Sequence, residues 1–437
     1  MSEHLAREMR STAREIFQRA LAEASIPSAF ARHVDCERGV LRVCDDLYHL
    51  GAYTNVFVVS FGKAAHSMLE ALHARVPSGL EGIVVGVVDP PSQLPGFRYF
   101  LGGHPLPTIE SVRAGEAILR ALNAQTQTSL VIFLLSGGGS SLVEKPIDEE
   151  ISLVELVETY RVLVHSGAPI AEINAIRKHL SATKGGRLAQ AAAPAHQLTL
   201  MVSDVPDNAL DALASGPTMP DTSSVEDCHR IVSKYNMLAD FPGPVRELFE
   251  KHALNETPKS DDPAFVRSRW WPIQSNESAR DVAANHAAAH RFAVEVDNRC
   301  DDWDYARAAD YLLGRLRELR KGVSRACIIS GGEVTVKVTN GGIGGRNQQF
   351  ALYCAEKIAG ENITVLSAGT DGIDGNSPAA GAVVDGTTLA RAQQKALSPA
   401  SALSKFDAYP FFDTLGDSIT TGPTGNNLRD LRILLTY

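Results

Sequence analysis

The stretch that most constrains the fold is residues 130–141, an apolar run that passes directly into glycines and serines. The apolar residues 130–135 are typical of a short strand buried on both faces of a parallel sheet. The residues that follow are Ser136, Gly137, Gly138, Gly139, Ser140 and Ser141. Glycines permit close approach to the backbone and serines add hydroxyl groups, so the pattern indicates a phosphate-binding loop. A Gly-rich packing turn is the alternative, because the stretch lacks both the P-loop ending and the dinucleotide spacing.

Strands and helices alternate along the 437 residues, which predicts an α/β fold with two domains. We expect each domain to have a mostly parallel sheet flanked by helices. Nearly every predicted strand ends in Gly, Ser, Asp or Asn, and ligands bind at that edge of open α/β sheets. A proline-punctuated segment, 235–272, predicts a domain boundary near residue 240. The expected domains are therefore residues 1–240, with a Rossmann-like sheet, and residues 241–437.

Composition narrows the class of protein. The net charge of −9 argues against non-specific nucleic-acid binding, which needs a broad basic face. Six scattered cysteines without a C-x-x-C pair favour a reduced, cytoplasmic protein. Residues 1–24 carry four glutamates, so they predict an amphipathic helix and not a signal or transit peptide. No apolar run has the length of a membrane span, and we expect small-molecule partners and no membrane.

Two basic residues stand at positions that suit anion binding. Lys63 follows Gly62 at a predicted strand–helix turn, where a lysine can act as a point charge on a phosphate or carboxylate. Arg346 follows the Gly-rich segment 341–345 and heads a predicted helix, whose first turn adds partial positive charge. A solvated lysine and a flexible surface loop are the alternative interpretations.

A further basic run contains Arg177, Lys178, Lys184 and Arg187 at helical spacing. Such a run is usually a solvated face. It could also line the substrate side of a binding site. His104, between Gly103 and Pro105, is either a packing histidine or a ligand contact.

Acidic turns follow several predicted strands, and Mg²⁺ usually takes one or two carboxylates together with phosphate oxygens and water. The candidate ligands are Asp204 with Asp207, Asp371 with Asp374, and Asp89. One of these carboxylates could instead accept a proton from an attacking hydroxyl group. For each aspartate, turn capping is the alternative. Together with the glycine-rich loops, the acidic turns indicate a nucleotide–metal site.

Several motifs, in this order, resemble the glycerate 2-kinase family. In the first half they are Phe-Gly-Lys-Ala (61–64), Gly-Gly-His-Pro (102–105), Leu-Ser-Gly-Gly-Gly-Ser-Ser (135–141), Arg-Lys-His-Leu-Ser-Ala (177–182), Lys-Gly-Gly-Arg-Leu-Ala (184–189), Ser-Asp-Val (203–205) and Ala-Ser-Gly-Pro-Thr (214–218). The second half resembles the family's MOFRL domain through Ser-Gly-Gly-Glu (330–333), Gly-Gly-Arg-Asn-Gln (344–348), Thr-Asp-Gly-Ile-Asp-Gly (370–375) and Thr-Gly-Pro-Thr-Gly-Asn-Asn (421–427).

The resemblance implies an enzyme that transfers the γ-phosphoryl group of ATP to D-glycerate with Mg²⁺, giving 2-phosphoglycerate and ADP. It implies an active site in the cleft between the domains, with Lys63 and Arg346 as catalytic and substrate-binding residues. We expect the loop from Ser136 to Ser141, together with Asp204, to bind the ATP phosphates. The further expected substrate contacts are Asn347 and Asp371, and the expected metal ligands are Asp204, Asp207 and Asp371.

Three other interpretations stay open from the sequence. An NAD(P)H-dependent hydroxypyruvate reductase would need a Gly-x-Gly-x-x-Gly turn followed by an acidic residue, and no loop here has that arrangement. A non-catalytic sugar-acid or nucleotide sensor would not need the acidic turns beside Lys63 and Arg346. The third is a kinase that forms 3-phosphoglycerate instead. A homodimer is compatible with all of them.

Overall fold

The computed structural model describes residues 3–76, 79–205, 209–338 and 341–437. The chain forms two compact units. The N-terminal unit consists of Phe30–Ile273, and the C-terminal unit combines Met1–Ala29 with Gln274–Tyr437.

The α-helices are α1 (Glu3–Glu23), α2 (Ile26–His33), α3 (Ala65–His73), α4 (Ile109–Leu122), α5 (Gly139–Leu142), α6 (Leu153–His165), α7 (Ile170–His179), α8 (Arg187–Ala192), α9 (Val225–Lys234), α10 (Gly243–Glu250), α11 (Asn276–Ala289), α12 (Tyr305–Arg320), α13 (Arg346–Lys357), α14 (Thr388–Gln394), α15 (Pro399–Lys405) and α16 (Ala408–Leu415). The strands are β1 (Val34–Glu37), β2 (Val40–Val43), β3 (Asp46–His49), β4 (Asn55–Phe61), β5 (Leu80–Gly86), β6 (Phe97–Leu101), β7 (Ser129–Ser136), β8 (His196–Val202), β9 (Ser268–Gln274), β10 (Ala293–Val296), β11 (Ala326–Ser330), β12 (Ile363–Gly369), β13 (Gly381–Asp385), β14 (Ser418–Ile419) and β15 (Asp430–Thr436).

The main sheet of the N-terminal unit has the strand order β6-β5-β4-β7-β8-β9. Strands β4 to β8 all run parallel in their pairings. The central strand β7 is buried along its whole length, which confirms the predicted strand at 130–135. Leu135 pairs with both Phe61 and Met201, so β4, β7 and β8 end at the same edge. The loops after these strands therefore emerge side by side.

The sheet of the C-terminal unit is mixed, with the order β10-β11-β15-β12-β13-β14. The pair β10–β11 is parallel, whereas the other pairings are antiparallel. The prediction of a mostly parallel sheet was therefore wrong for this unit. The physical reason is β15, which inserts between β11 and β12 and runs opposite to both. A buried strand shows the same apolar pattern in either direction, so periodicity could not reveal this.

The compact units also differ from the expected domains at two places. Residues 241–273 belong with the N-terminal unit, because β9 extends its sheet and α10 packs into a cluster with α6, α7 and α9. Helix α1 belongs to the C-terminal unit, where Met9, Ala13 and Phe17 are buried in the core formed with α11 and the mixed sheet. The predicted boundary near residue 240 therefore lies inside the N-terminal unit.

A search of the described helices for a long apolar segment found none that could cross a membrane.

Candidate active site

The loop after β7 is shaped by close contacts that only glycine allows. A Cβ atom on Gly137 would lie 1.8 Å from Oδ2 of Asp204. Gly138 has a φ of +82°, and a Cβ atom on Gly139 would lie 2.8 Å from Cβ of Ala214. Contacts under 3.0 Å force a neighbouring atom to move, and a positive φ is strained for other residues. Residues 137–139 are therefore glycines for reasons of space and conformation, as the sequence predicted.

Three backbone amides of this loop have no hydrogen-bond partner among the residues that the structure describes. They are the N–H groups of Gly137, Gly138 and Gly139. Ser140 lies next to them, and its hydroxyl group is 2.8 Å from that of Ser215. Successive backbone N–H groups that point into a concavity form an anion-binding site. The geometry supports phosphate binding over the packing-turn alternative.

Lys63 is fixed beside the loop by its backbone. Its amide donates to the Gly137 carbonyl at 2.9 Å, and the Ala64 amide donates to Ser136 Oγ at 3.0 Å. Gly62 permits this approach, since a Cβ atom there would lie 2.1 Å from Ser136 Oγ. The Lys63 side chain is exposed, and its Cγ lies 3.1 Å from the Cβ position of Gly138. The backbone of Lys63 is therefore fixed beside the loop, while its side chain is exposed.

His104 also lies against Gly138, with ring atom Cδ2 3.2 Å from the Cβ position of that glycine. Desolvation, followed by the charge of Lys63, lowers the pKa of His104. The ring is therefore neutral at neutral pH and can donate or accept a hydrogen bond. The structure thus brings His104 to the loop as a candidate ligand contact. Ser215, also at the loop, was not among the predicted site residues.

The predicted metal ligands differ in where the structure places them. Asp204 follows β8 and lies against Gly137, so its carboxylate adjoins the phosphate loop. Asp207 lies outside the described residues. A search of the described residues finds no cluster of three or more His, Cys, Asp or Glu side chains. One carboxylate beside a phosphate site is nevertheless the usual protein contribution to a Mg²⁺–nucleotide complex, so Asp204 fits the role.

In the C-terminal unit, Arg346 is engaged by two carboxylates. Its Nε donates to Asp430 Oδ2 at 2.7 Å and its Nη2 to Asp430 Oδ1 at 3.1 Å. Nη2 also lies 2.8 Å from Glu333 Oε1. Asp430 is buried, whereas the Glu333 side chain is 35% exposed. Desolvation raises the pKa of Glu333, with a further rise from Asp430. The arginine therefore has one buried partner and one partly exposed partner.

The first turn of α13 is already capped by a carboxylate. Asp374 accepts hydrogen bonds from the amides of Asn347 at 3.0 Å and Gln348 at 2.9 Å. The expected positive helix end is thus neutralised from within the unit. The Asn347 side chain is engaged with Asp374 and with Ser367, and Asn347 is 1% exposed. Asn347 therefore lies behind the surface of the site, where it supports α13.

Asp371 and Arg346 line a cavity of 440 Å³ together with Asp374. Asp371 accepts a hydrogen bond from the Ile373 amide at 3.1 Å, which is an ordinary turn contact. The C-terminal residues that the sequence singled out thus converge on one pocket, although one of them, Asn347, lies behind its wall. The residues that sequence reasoning missed are the two carboxylates that hold Arg346.

The second Ser-Gly-Gly loop, after β11, does not repeat the first one. The amides of Gly331, Gly332 and Glu333 donate to the side chains of Asn298, Asn276 and Asp301. Its N–H groups are therefore satisfied internally. The similarity in sequence does not extend to an open anion site.

In the basic run of the N-terminal unit, the two lysines are buried and do not form a solvated face. Lys178 is buried and lies 3.0 Å from Asp221. Lys184 is also buried and pairs with Glu144, which in turn accepts a hydrogen bond from Tyr160. These lysines are internal ion pairs that hold the segment between α7 and α8.

Comparison with known proteins gives concordant results. A family model described as "Domain of unknown function (DUF4147)" matches residues 12–250, and the MOFRL family model matches residues 326–430. The D-glycerate 2-kinase of Thermotoga maritima is 35% identical over 387 residues, which cover 86% of this chain and 90% of that protein. A protein of Agrobacterium vitis named putative hydroxypyruvate reductase is 36% identical, with 86% of each chain covered.

A solved structure extends the similarity to the fold. The crystal structure of glycerate kinase from Thermotoga maritima matches with a TM-score of 0.87 at 32% identity, covering 99% of this chain and 100% of that one. Family models, sequence and fold therefore agree over nearly the whole length. The chain belongs to the glycerate kinase family, in which a DUF4147 domain is joined to a MOFRL domain.

Proposed function

We propose that this protein is an ATP-dependent D-glycerate 2-kinase, which converts ATP and D-glycerate to ADP, 2-phosphoglycerate and a proton. The observation that carries the proposal is the loop after β7, where unpaired amides lie beside the cation Lys63. Phosphoryl transfer depends mainly on positioning and on stabilisation of charge, which this arrangement can supply. The D-glycerate 2-kinase name of the Thermotoga maritima relative supports the choice of substrate.

The phosphate groups of ATP would be bound by the amides of Gly137, Gly138 and Gly139. The hydroxyl groups of Ser136, Ser140 and Ser141 shape or border that loop. Lys63 would neutralise negative charge on the group in transfer, because its flexible stem lets the ammonium follow the phosphate.

Asp204 would hold Mg²⁺ at the phosphates, because its carboxylate adjoins Gly137. Bound there, Mg²⁺ would supply positive charge that offsets the negative charge of the phosphates during transfer. Asp207 and Asp371 stay proposed metal ligands. Asp207 lies outside the described residues, and Asp371 accepts a hydrogen bond within a turn.

Arg346 would bind the carboxylate of D-glycerate. The two-point contact with buried Asp430 fixes the plane of the guanidinium group. Glu333 is exposed enough for a substrate carboxylate to replace it at Nη2. Exchange of Glu333 for the substrate carboxylate would keep the guanidinium group of Arg346 paired with two carboxylates.

The experiment is an ADP-release assay with ATP, Mg²⁺ and D-glycerate on variants of both cations. We expect Lys63→Met to lower kcat by about 10²-fold, and Arg346→Lys to lower kcat/KM for D-glycerate by about 10²-fold through loss of the planar fork. Arg346→Lys retains the positive charge beside Asp430, which protects the fold. Lys251→Met and Arg113→Lys are matched controls, because both residues are exposed surface partners of a neighbouring glutamate. Near-normal turnover in both site variants would contradict these roles.

A further inference from the structure

The cavity of the C-terminal unit is far larger than a three-carbon acid requires. Its volume is 440 Å³, within the range of pockets that enclose drug-sized ligands. D-Glycerate has few heavy atoms and could contact one corner of it. The lining residues are Val336, Val338, Gly342, Gly344, Gly345, Arg346, Gln349, Asp371, Ile373, Asp374, Gly375, Asn376 and Phe406.

One side of the cavity is apolar and open to solvent. Val338 is 62% exposed and Ile373 is 49% exposed, and both line the cavity together with Phe406. Exposed apolar side chains grouped around a concave site are typical of ligand-binding surfaces. A hydroxy acid has no apolar face to bury against them, whereas a planar nucleobase has two.

Phe406, on the apolar side of the cavity, is in contact with the glycine-rich segment 341–345. It is the C-cap of α15, where it adopts a left-handed conformation with φ of +55°. A Cβ atom on Gly342 would lie 2.4 Å from the Phe406 carbonyl oxygen. The Ile343 amide donates to Asp407 at 2.9 Å, and its carbonyl accepts from the Tyr409 amide at 2.9 Å. The glycine-rich segment 341–345 therefore packs against the backbone at Phe406 and the start of α16.

The polar side of the cavity carries an excess of negative charge. Asp371 and Asp374 line it, and the positive charge of Arg346 is balanced by Asp430 and Glu333. A carboxylate could bind here by replacing Glu333 at Arg346. Elsewhere the negative lining disfavours an anion and favours groups that donate hydrogen bonds. The vicinal hydroxyl groups of a ribose are such donors, and carboxylates are their usual acceptors in nucleotide sites.

We propose that this cavity binds a nucleoside, with the base against Phe406, Val338 and Ile373 and the ribose hydroxyl groups at Asp371, which would then hold the ribose and not a metal. That the nucleoside is the adenosine of ATP rests on the proposed kinase function. The nucleoside site itself is a property of the C-terminal unit that can be measured without turnover.

The test measures ADP binding to the full-length protein by calorimetry, alongside KM for ATP and for D-glycerate. Base stacking on an aromatic side chain contributes about 1–3 kcal/mol, so we expect Phe406→Ala to weaken ADP binding by about 5- to 150-fold. Val338→Asp should weaken it as well, whereas Val164→Asp, at a residue 66% exposed on α6, should not. The KM for D-glycerate should stay within about twofold in all three variants.

The ribose contact has its own readout. We expect the wild-type protein to bind 2′-deoxy-ADP more weakly than ADP, and Asp371→Asn to reduce this preference. Circular dichroism and thermal melting establish that each variant is folded.

Failure of this inference and failure of the kinase proposal give different results. ADP binding that depends on Phe406 and Val338, without phosphorylation of D-glycerate, would keep the nucleoside site and refute the kinase. A kinase whose ADP affinity is unchanged in Phe406→Ala and Val338→Asp would refute the nucleoside site. The site is also refuted if wild-type protein binds no ADP at millimolar concentration, or if the variants raise KM for D-glycerate alone.

Discussion

Gly137 stands where the backbone of the phosphate loop meets the Asp204 carboxylate. The distance of 1.8 Å from its Cβ position to Asp204 Oδ2 leaves no room for a methyl group. The same contact places the carboxylate beside the amides that we assign to phosphate. One residue thus couples the shape of the loop to the proposed metal ligand.

Replacement of Gly137 by Ala should therefore displace either the loop or Asp204. Because a shift of about 1 Å in a reacting group can cost about 10²-fold in rate, we expect turnover to fall by that factor. Gly314→Ala is the control, since Gly314 lies in α12 and nothing is within 4 Å of its Cβ position. That control should gain up to about 1 kcal/mol in stability and keep full activity. Steady-state kinetics and thermal melting check both variants, and normal turnover in Gly137→Ala would contradict the account.

For single residues, the sequence predicts a role where that role depends on residues nearby in the chain. Lys63 and the glycines after β7 stand at strand ends, which local patterns reveal. The partners of Lys178 and Lys184 are 43 and 40 residues away, so their burial as ion pairs could not be predicted. The same holds for Arg346 and Asp430, which are 84 residues apart.

Among the elements, α13 shows how a helix start can be set by a distant residue. The carboxylate of Asp374 caps the first turn, 27 residues away from Asn347 along the chain. Desolvation raises the pKa of Asp374 from its ordinary value of 3.8 to about 6, although the hydrogen bonds that it accepts oppose the rise. The folded protein therefore binds this proton more tightly than the unfolded chain does.

This shift predicts the sign of a pH effect. The contribution of Asp374 to stability should be greatest at low pH and should be lost as the pH rises to about 6. The free energy of unfolding of the wild type, relative to Asp374→Asn, should fall by about 1 kcal/mol between about pH 5 and about pH 7. Denaturant titrations at the two pH values measure it. If this difference in the free energy of unfolding instead grows with pH, the hydrogen bonds to Asp374 outweigh the effect of burial on its pKa.

The strand pattern shows where prediction from sequence ends at this scale. The buried run that forms β7 is predicted as a strand from sequence, because it is a short apolar segment before a turn. The pairing of strands in the N-terminal unit followed from alternation with helices. The antiparallel insertion of β15 could not be foreseen, because it is set by contacts with strands about 70 to 100 residues earlier.

In the whole molecule, the C-terminal unit is built from both ends of the chain. Helix α1 places Phe17 in the core of that unit, where it is fully buried. Arg10 of the same helix forms an ion pair with Asp385. A chain divided near residue 240 would separate α1 from the sheet that it covers.

Two matched core variants test this assignment. Phe17→Ala should cost about 3–5 kcal/mol and raise hydrogen exchange in β12 and β15, whereas Phe133→Ala should do so in β4 and β7. Both phenylalanines are fully buried, one in each unit. Faster exchange in β4 and β7 upon Phe17→Ala would instead assign α1 to the N-terminal unit.

The central claim, that the protein is a D-glycerate 2-kinase, is tested most directly by supplying ATP, Mg²⁺ and D-glycerate in the presence of enolase. We predict phosphoenolpyruvate formation without added phosphoglycerate mutase, because the product is 2-phosphoglycerate. Dependence on the mutase would show the 3-phosphoglycerate product instead. ATP left unconsumed, with NADH oxidised in the presence of hydroxypyruvate, would contradict the account.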